Sequence, residues 1–269
     1  MTTPKKTKDG RFAYEAAGDP GKTPLVFLHG IGGAARAWRS QIAAFGDRYH
    51  ALAWDMPGYG GSAPLPSVSI ATLADALQDF LRQIGGMRPV LVGHSIGGMI
   101  VQQWLTKHPR AAGAAVLAQT SPAFGKAEGY WQKQFIEARL GPLDRGETMT
   151  SLAPVLVKEL VGDTPDARGM EIARECMGSI PEASYRASML ALLGFDQRKV
   201  LGNIAVPTLV LSGSKDKNAP APMMAKMATY IPSATYVELE GAGHLVNLER
   251  PKAFNAALDQ FLKTIEVTA

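Results

Sequence analysis

Three side chains of the kinds that cooperate in nucleophilic catalysis stand at turn and loop positions of this 269-residue chain: Ser95, Asp216 and His244. Ser95 lies in Gly93-His94-Ser95-Ile96-Gly97, after the apolar run Pro89-Val90-Leu91-Val92 and before a stretch that sets Ile96, Ile100 and Trp104 at helical spacing. A strand therefore meets a helix at the serine. Glycines two positions to either side allow a sharp turn and leave no Cβ to crowd it, so the hydroxyl is held out at the strand end, as in a nucleophile elbow. A serine hydroxyl is a weak nucleophile until a base takes its proton, and histidine does this best near neutral pH. Of the five histidines, His29 and His94 sit inside backbone turns, His50 starts a strand and His108 ends a helix. His244 remains, in the Gly-rich loop Glu240-Gly241-Ala242-Gly243-His244-Leu245 between the last strand and the last helix. The base needs an acceptor to fix its tautomer and stabilise the imidazolium. Asp216 fits, because it follows a strand through Ser212-Gly213-Ser214-Lys215 and precedes Pro220, which would open the next helix. Asp196 and Glu240 are its rivals.

Attack on a carbonyl also calls for two backbone N–H groups aimed at the developing oxyanion. Ile96 opens the helix after the elbow, where free amides and the helix dipole favour negative charge. The loop His29-Gly30-Ile31-Gly32-Gly33 offers the other amide, from Ile31. This loop has neither the Lys-Ser/Thr of a P-loop nor a complete G-x-G-x-x-G, so phosphate cradling is not its expected task. With no His pair at i, i+4 and no Cys ligand set, neither a metal nor a cofactor is expected.

The elements that must position these groups read as alternating strands and helices. Strands are expected at residues 11–17 (an edge strand), 25–28, 50–54, 89–92, 114–118, 206–211 and 235–239, with helices over 34–46, 70–84, the elbow helix and 251–265. That rhythm is the mark of an α/β fold with a parallel sheet covered on both faces. Between about 122 and 198 no buried strand is legible, only helical segments near 130–140, 148–161, 167–177 and 183–193, which reads as a helical insertion.

Composition sets the remaining bounds. A hydrophobic fraction of 46% supplies a large core, and the formal charge of +4 is scattered except for Lys5-Lys6-Thr7-Lys8 at a terminus expected to fray. Nucleic-acid binding gains little support. The single cysteine, Cys176, has no internal disulfide partner, and the polar start lacks the apolar stretch of a secretory signal, so a cytoplasmic setting is expected. No apolar run nears the ~20 residues needed to cross a bilayer. The partner expected is a small-molecule substrate, taken by a monomer or homodimer.

The motifs HGIGG, DMPGYGGS, GHSIGG, SGSKDKNAP and GAGHLVNLERP, in this order, make the sequence resemble the α/β-hydrolase superfamily over nearly its whole length. The resemblance implies a mostly parallel eight-stranded sheet. It also implies a core of residues 1–121 and 199–269 and a helical cap of 122–198 over the pocket. By position, Ser95, Asp216 and His244 match the family's triad, and Ile31 and Ile96 its oxyanion amides. Gly32, Gln119, Trp131, Phe135, Met189, Leu192 and Leu245 are the candidates for substrate contact. The segment ASMLALLGFDQRKVLGNIAVPTLVLSG and the loop HLVNLERP are similar to 3-oxoadipate enol-lactonases and small carboxylesterases, whereas DMPGYGGS is closer to C–C hydrolases of vinylogous diketones. Those C–C enzymes usually carry Asn before the nucleophile and Trp after the base, where this chain has His94 and Leu245. Ester or lactone hydrolysis through an acyl-enzyme therefore ranks first, C–C cleavage second. Some members of the fold keep the triad yet act as ligand receptors, a role the motifs leave open. For an acidic substrate such as an enol-lactone, Arg186 or Arg139 is the expected cationic partner.

Overall fold

The short apolar runs pair into a single sheet. The computed structural model describes residues 3–85, 88–125 and 128–266. Its strands are β1 (Thr3–Lys6), β2 (Ala13–Ala17), β3 (Pro24–Leu28), β4 (His50–Trp54), β5 (Val90–His94), β6 (Ala114–Ala118), β7 (Thr208–Gly213) and β8 (Ala234–Leu239), in the sheet order β1-β2-β4-β3-β5-β6-β7-β8. Only β2 runs antiparallel to its neighbours, so the sheet is mostly parallel and eight-stranded as expected. Strands β3 to β7 are buried at every position, which is why they read as unbroken apolar runs.

Two expectations at the start of the chain are corrected. The Lys-rich segment expected to fray is itself the edge strand β1, with Lys5 opposite Tyr14 and Lys6 opposite Ala13. Residues 11–17, expected at the edge, supply β2 one strand further in. Lysine and proline on an edge discourage pairing with other chains, and the same residues leave no apolar alternation to read.

The helices are α1 (Arg39–Phe45), α2 (Ile70–Ile84), α3 (Ile96–Lys107), α4 (Tyr130–Asp144), α5 (Met149–Leu160), α6 (Ala167–Gly178), α7 (Glu182–Ala191), α8 (Ala221–Thr229), α9 (Val246–Glu249) and α10 (Pro251–Glu266). The helix expected over 34–46 is divided. Its first turn, Ala35–Trp38, is a tighter 3-10 helix whose Ala35 N–H is taken by the Asp55 carboxylate at 2.8 Å. Period-two alternation sorts the strand side chains onto two faces. Leu25 and Phe27 pack with Ile42, Phe45, Phe254 and Leu258 of α1 and α10. Val26 and Leu28 join a core with Leu73, Leu77, Ile100 and Met224 of α2, α3 and α8. At its start α2 is fixed by Ser69, whose hydroxyl accepts the Thr72 N–H while Thr72 returns the bond to the Ser69 N–H.

Helices α4 to α7 lie between β6 and β7 in the chain. The segment's two ends meet in a short antiparallel bridge: the Gln197 N–H donates to the Pro122 carbonyl at 2.7 Å and the Phe124 N–H to the Phe195 carbonyl at 3.0 Å. Val157, Met177, Tyr185 and Met189 of these helices belong to the same continuous apolar core as Val26 and Leu28. Polar ties add direction. Arg36 donates to the Glu175 carbonyl and the Ser179 hydroxyl, and the Ser184 hydroxyl to the Gly58 carbonyl. Among the described residues no helix is long and apolar enough to cross a membrane.

Candidate active site

The sheet delivers Ser95, Asp216 and His244 to one rim, because all three follow the C-terminal ends of parallel strands: β5, β7 and β8 respectively. Ser95 has φ 54° and ψ −121°, a backbone conformation that side chains other than glycine rarely adopt. The flanking glycines permit it. A Cβ on Gly93 would lie 2.5 Å from the Gly97 carbonyl oxygen, and one on Gly97 would lie 2.4 Å from that of Leu28. The strain is held by the Ser95 N–H donating to the Ala118 carbonyl at 3.0 Å and the Thr120 hydroxyl donating to the Ser95 carbonyl at 2.7 Å.

A continuous hydrogen-bond chain links the three side chains. His244 Nε2 is 3.0 Å from Ser95 Oγ, and His244 Nδ1 is 2.7 Å from Asp216 Oδ2. Asp216 is 5% exposed, and its other oxygen accepts the N–H groups of Asn218 at 2.8 Å and Ala219 at 3.0 Å. Burial alone would raise its carboxyl pKa, but His244 and those hydrogen bonds outweigh burial and hold it below its ordinary value. An ionised carboxylate only accepts, so His244 carries its proton on Nδ1. The lone pair on Nε2 then faces the Ser95 hydroxyl.

Two buried residues hold His244 in place: His94, which the sequence set inside a backbone turn, and Glu249, which it did not single out. His94 donates from Nε2 to the backbone carbonyl of His244 at 2.6 Å, and burial, reinforced by His244, pushes its pKa down to about 3. It is therefore a neutral donor of fixed tautomer. Glu249, 2% exposed, accepts the N–H groups of Gly162 at 2.7 Å, Gly243 at 2.9 Å and Leu245 at 2.8 Å. The His244 N–H itself donates to the Leu160 carbonyl at the end of α5 at 2.7 Å. The base loop is thus bolted to the inserted helices as well as to the sheet.

The two amides expected to receive an oxyanion stand in a tight turn and at a helix start. In the turn Gly30-Ile31-Gly32-Gly33 the Gly33 N–H closes back on the Gly30 carbonyl at 3.0 Å, which leaves the Ile31 N–H at the turn's corner. Gly32, at φ 94°, supplies the left-handed residue that a type II turn requires. Ile96 is the first residue of α3, where no carbonyl one turn earlier in the helix can accept its N–H. His29 braces the loop: its Nε2 accepts the Met56 N–H at 3.0 Å, so Nδ1 carries the proton donated to the Gly30 carbonyl at 2.8 Å.

Ser95 and His244 open onto a cavity of about 330 Å³ beneath α4 to α7. Of the candidates for substrate contact, Gln119, Trp131, Phe135, Met189 and Leu192 line it. Gln119 sits at the end of β6 with φ 40° and a fully buried amide that has no partner in the protein. Trp131 is half exposed at the rim, packed at a tilt against the rings of Phe124 and Phe135. Gly32 and Leu245 lie elsewhere: they border a separate void of about 20 Å³, with Met177 lining both spaces. For Gly32 the reason is steric, since Met177 Cε stands 2.4 Å from where its Cβ would be. Leu245 packs against the apolar core and borders the small void instead. Of the two arginines, Arg186 is paired with Asp144 at 2.6 Å and Glu182 at 2.7 Å and does not line the cavity, whereas Arg139 does.

Comparison with known proteins agrees with this geometry. The family profile described as "Alpha/beta hydrolase family" matches residues 25–257. The 3-oxoadipate enol-lactonase 2 of Acinetobacter baylyi is 27% identical, over 95% of this chain and 94% of that one. The pimeloyl-[acyl-carrier protein] methyl ester esterase of Chromobacterium violaceum is 29% identical, over 89% of this chain and 94% of its own. Among solved structures, the enol-lactonase from Burkholderia xenovorans superposes with a TM-score of 0.81 at 25% identity, covering 97% of this chain and 100% of that one. With the profile spanning residues 25–257, most of the sequence, the chain belongs to the alpha/beta hydrolase family of enzymes.

Proposed function

We propose that the protein hydrolyses a small carboxylic ester or lactone through an acyl-enzyme on Ser95. The observation that carries this reading is the unbroken chain Ser95 Oγ, His244 Nε2, His244 Nδ1, Asp216 Oδ2 at the floor of a largely apolar cavity. As Ser95 Oγ forms its bond to the substrate carbonyl carbon, its proton passes to His244 Nε2, and the carbonyl π pair moves onto oxygen. The N–H groups of Ile31 and Ile96 receive that oxyanion, each donor of this kind being worth about 10² to 10³ in rate. Collapse expels the alkoxide or enolate, which takes the proton from His244. Water, deprotonated by the same nitrogen, then releases the acid and frees Ser95. Asp216 keeps the imidazole in the productive tautomer throughout. Residues 122–198 act in this reading as a cap whose lining selects the substrate, with Trp131, Phe135, Met189 and Leu192 as its contact residues.

Relatives named as an enol-lactonase and a methyl ester esterase support this substrate class over C–C cleavage. So do His94 and Leu245, at the positions where C–C hydrolases usually carry Asn and Trp. His94 is committed to the His244 carbonyl, and Leu245 borders the small void rather than the main cavity. The test is a panel of short esters, five-membered lactones and a 2-hydroxy-6-oxo-dienoate assayed side by side. Measurable turnover of at least one ester or lactone, with little cleavage of the dienoate, is expected. A kcat/KM for the dienoate above that of every ester and lactone would reverse the assignment.

A further inference from the structure

Arg139 is the odd arginine of this protein. Among the described residues four arginines are half-buried: Arg36, Arg139, Arg186 and Arg250. Arg36 donates to the Glu175 carbonyl and the Ser179 hydroxyl, Arg186 is paired with two carboxylates, and Arg250 donates to the backbone carbonyls of Asp163 and Thr164. Arg139 has one long main-chain bond, Nη1 to the Phe135 carbonyl at 3.3 Å, and forms no ion pair among the described residues. A guanidinium presents five N–H donors, so most of its donor capacity is unused by the protein. Taking such a group from water costs free energy unless an anion answers it.

Its setting is that of a binding group. Arg139 lines the cavity that also holds Ser95 and His244. Its Cζ stands 3.5 Å from the Phe135 ring centroid, so the guanidinium rests on the ring of another lining residue. Tyr185, 1% exposed, belongs to the same lining and lies within the electrostatic reach of Arg139, adding a phenolic O–H as a second donor. The walls around them, Phe124, Leu156, Met189 and Leu192, are apolar and weaken the screening of any charge placed there. The one acidic side chain in the lining, Glu159, is exposed; it acts on Arg139 through space without a salt-bridge contact.

We infer that Arg139, with Tyr185 beside it, binds a carboxylate on the substrate, so that the esters or lactones hydrolysed at Ser95 are those of acids carrying a second, free carboxyl group remote from the scissile carbonyl. This rests on Ser95 being the acylated residue. Glu159 then tempers the site: its negative charge lowers the attraction for an anionic substrate without filling the place of the substrate's carboxylate.

The experiment compares monoethyl glutarate with ethyl pentanoate, which have the same chain length and differ in the terminal carboxylate. The wild-type protein is expected to prefer the hemiester in kcat/KM by more than about tenfold. Arg139→Met should lower that preference by about 10²-fold, with a far smaller loss for ethyl pentanoate than for the hemiester, since a lost partner of a desolvated charge weighs most on the charged ligand. Arg139→Lys should retain part of the preference, and Glu159→Gln should raise it several-fold. Preference for the neutral ester in the wild type, or an equal loss for both esters in Arg139→Met, overturns the inference. Should Arg139→Met fail to fold, Arg139→Lys and Glu159→Gln decide, and unchanged ratios in both overturn it equally. Turnover of neither ester would count against Ser95 chemistry instead. Glutarate binding by calorimetry then still reads the subsite: about 10²-fold weaker affinity in Arg139→Met supports it, and equal affinity refutes it.

Discussion

Ser95→Ala is expected to fold as the wild type does and to lose turnover of its best ester by about 10⁶-fold, the scale seen when the serine of a serine protease triad is removed. The substitution deletes one hydroxyl whose only side-chain partner among the described residues is His244 Nε2 at 3.0 Å. It leaves the bonds from the Ser95 N–H to Ala118 and from Thr120 to the Ser95 carbonyl, so the turn survives. Thermal unfolding should therefore shift by no more than the equivalent of about 1 kcal/mol. Residual activity of a few per cent would mean that water is activated without an acyl-enzyme.

Asp216→Asn should cost about 10⁴-fold in kcat with little change in KM. An amide in place of Oδ2 can donate to His244 Nδ1, which puts the imidazole proton on Nε2 and removes the lone pair that faces Ser95. The Asn218 and Ala219 N–H groups would still find an oxygen, so the loop keeps its shape. The rivals named by the sequence provide the control. Asp196 is an exposed residue paired with Arg198 at 2.5 Å, and Glu240 is exposed. Asp196→Asn and Glu240→Gln should leave kcat within about twofold. A loss confined to either of them, with Asp216→Asn active, would move the acid elsewhere.

What could be read from the sequence was what is local or periodic. The strands β3 to β7 announce themselves because each is buried on both faces, and the serine turn because its glycines are forced by contacts with Gly97 and Leu28 that no side chain could share. Ser95, Asp216 and His244 were legible as strand-end residues in Gly-rich loops. The edge strand β1 was not, since a strand with one solvated edge needs no apolar pattern. His94 was legible as a histidine inside a backbone turn, but its bond to the His244 carbonyl was not, and Glu249 was missed outright: each acts through backbone groups, and a side chain that accepts N–H groups from Gly162, Gly243 and Leu245 leaves no mark in residue type. The difference between Arg186 and Arg139 likewise depends on neighbours the sequence does not reveal, since Asp144 and Glu182 pair with Arg186.

Labelling with a p-nitrophenyl alkylphosphonate tests the role of Ser95 most directly, because the reagent phosphonylates an activated serine and stops there. Intact-protein mass should rise by one phosphonyl group in step with loss of esterase activity, peptide mapping should place the adduct on Ser95, and Ser95→Ala should take up none. An adduct on another residue, or full activity with no adduct, would contradict nucleophilic catalysis by Ser95.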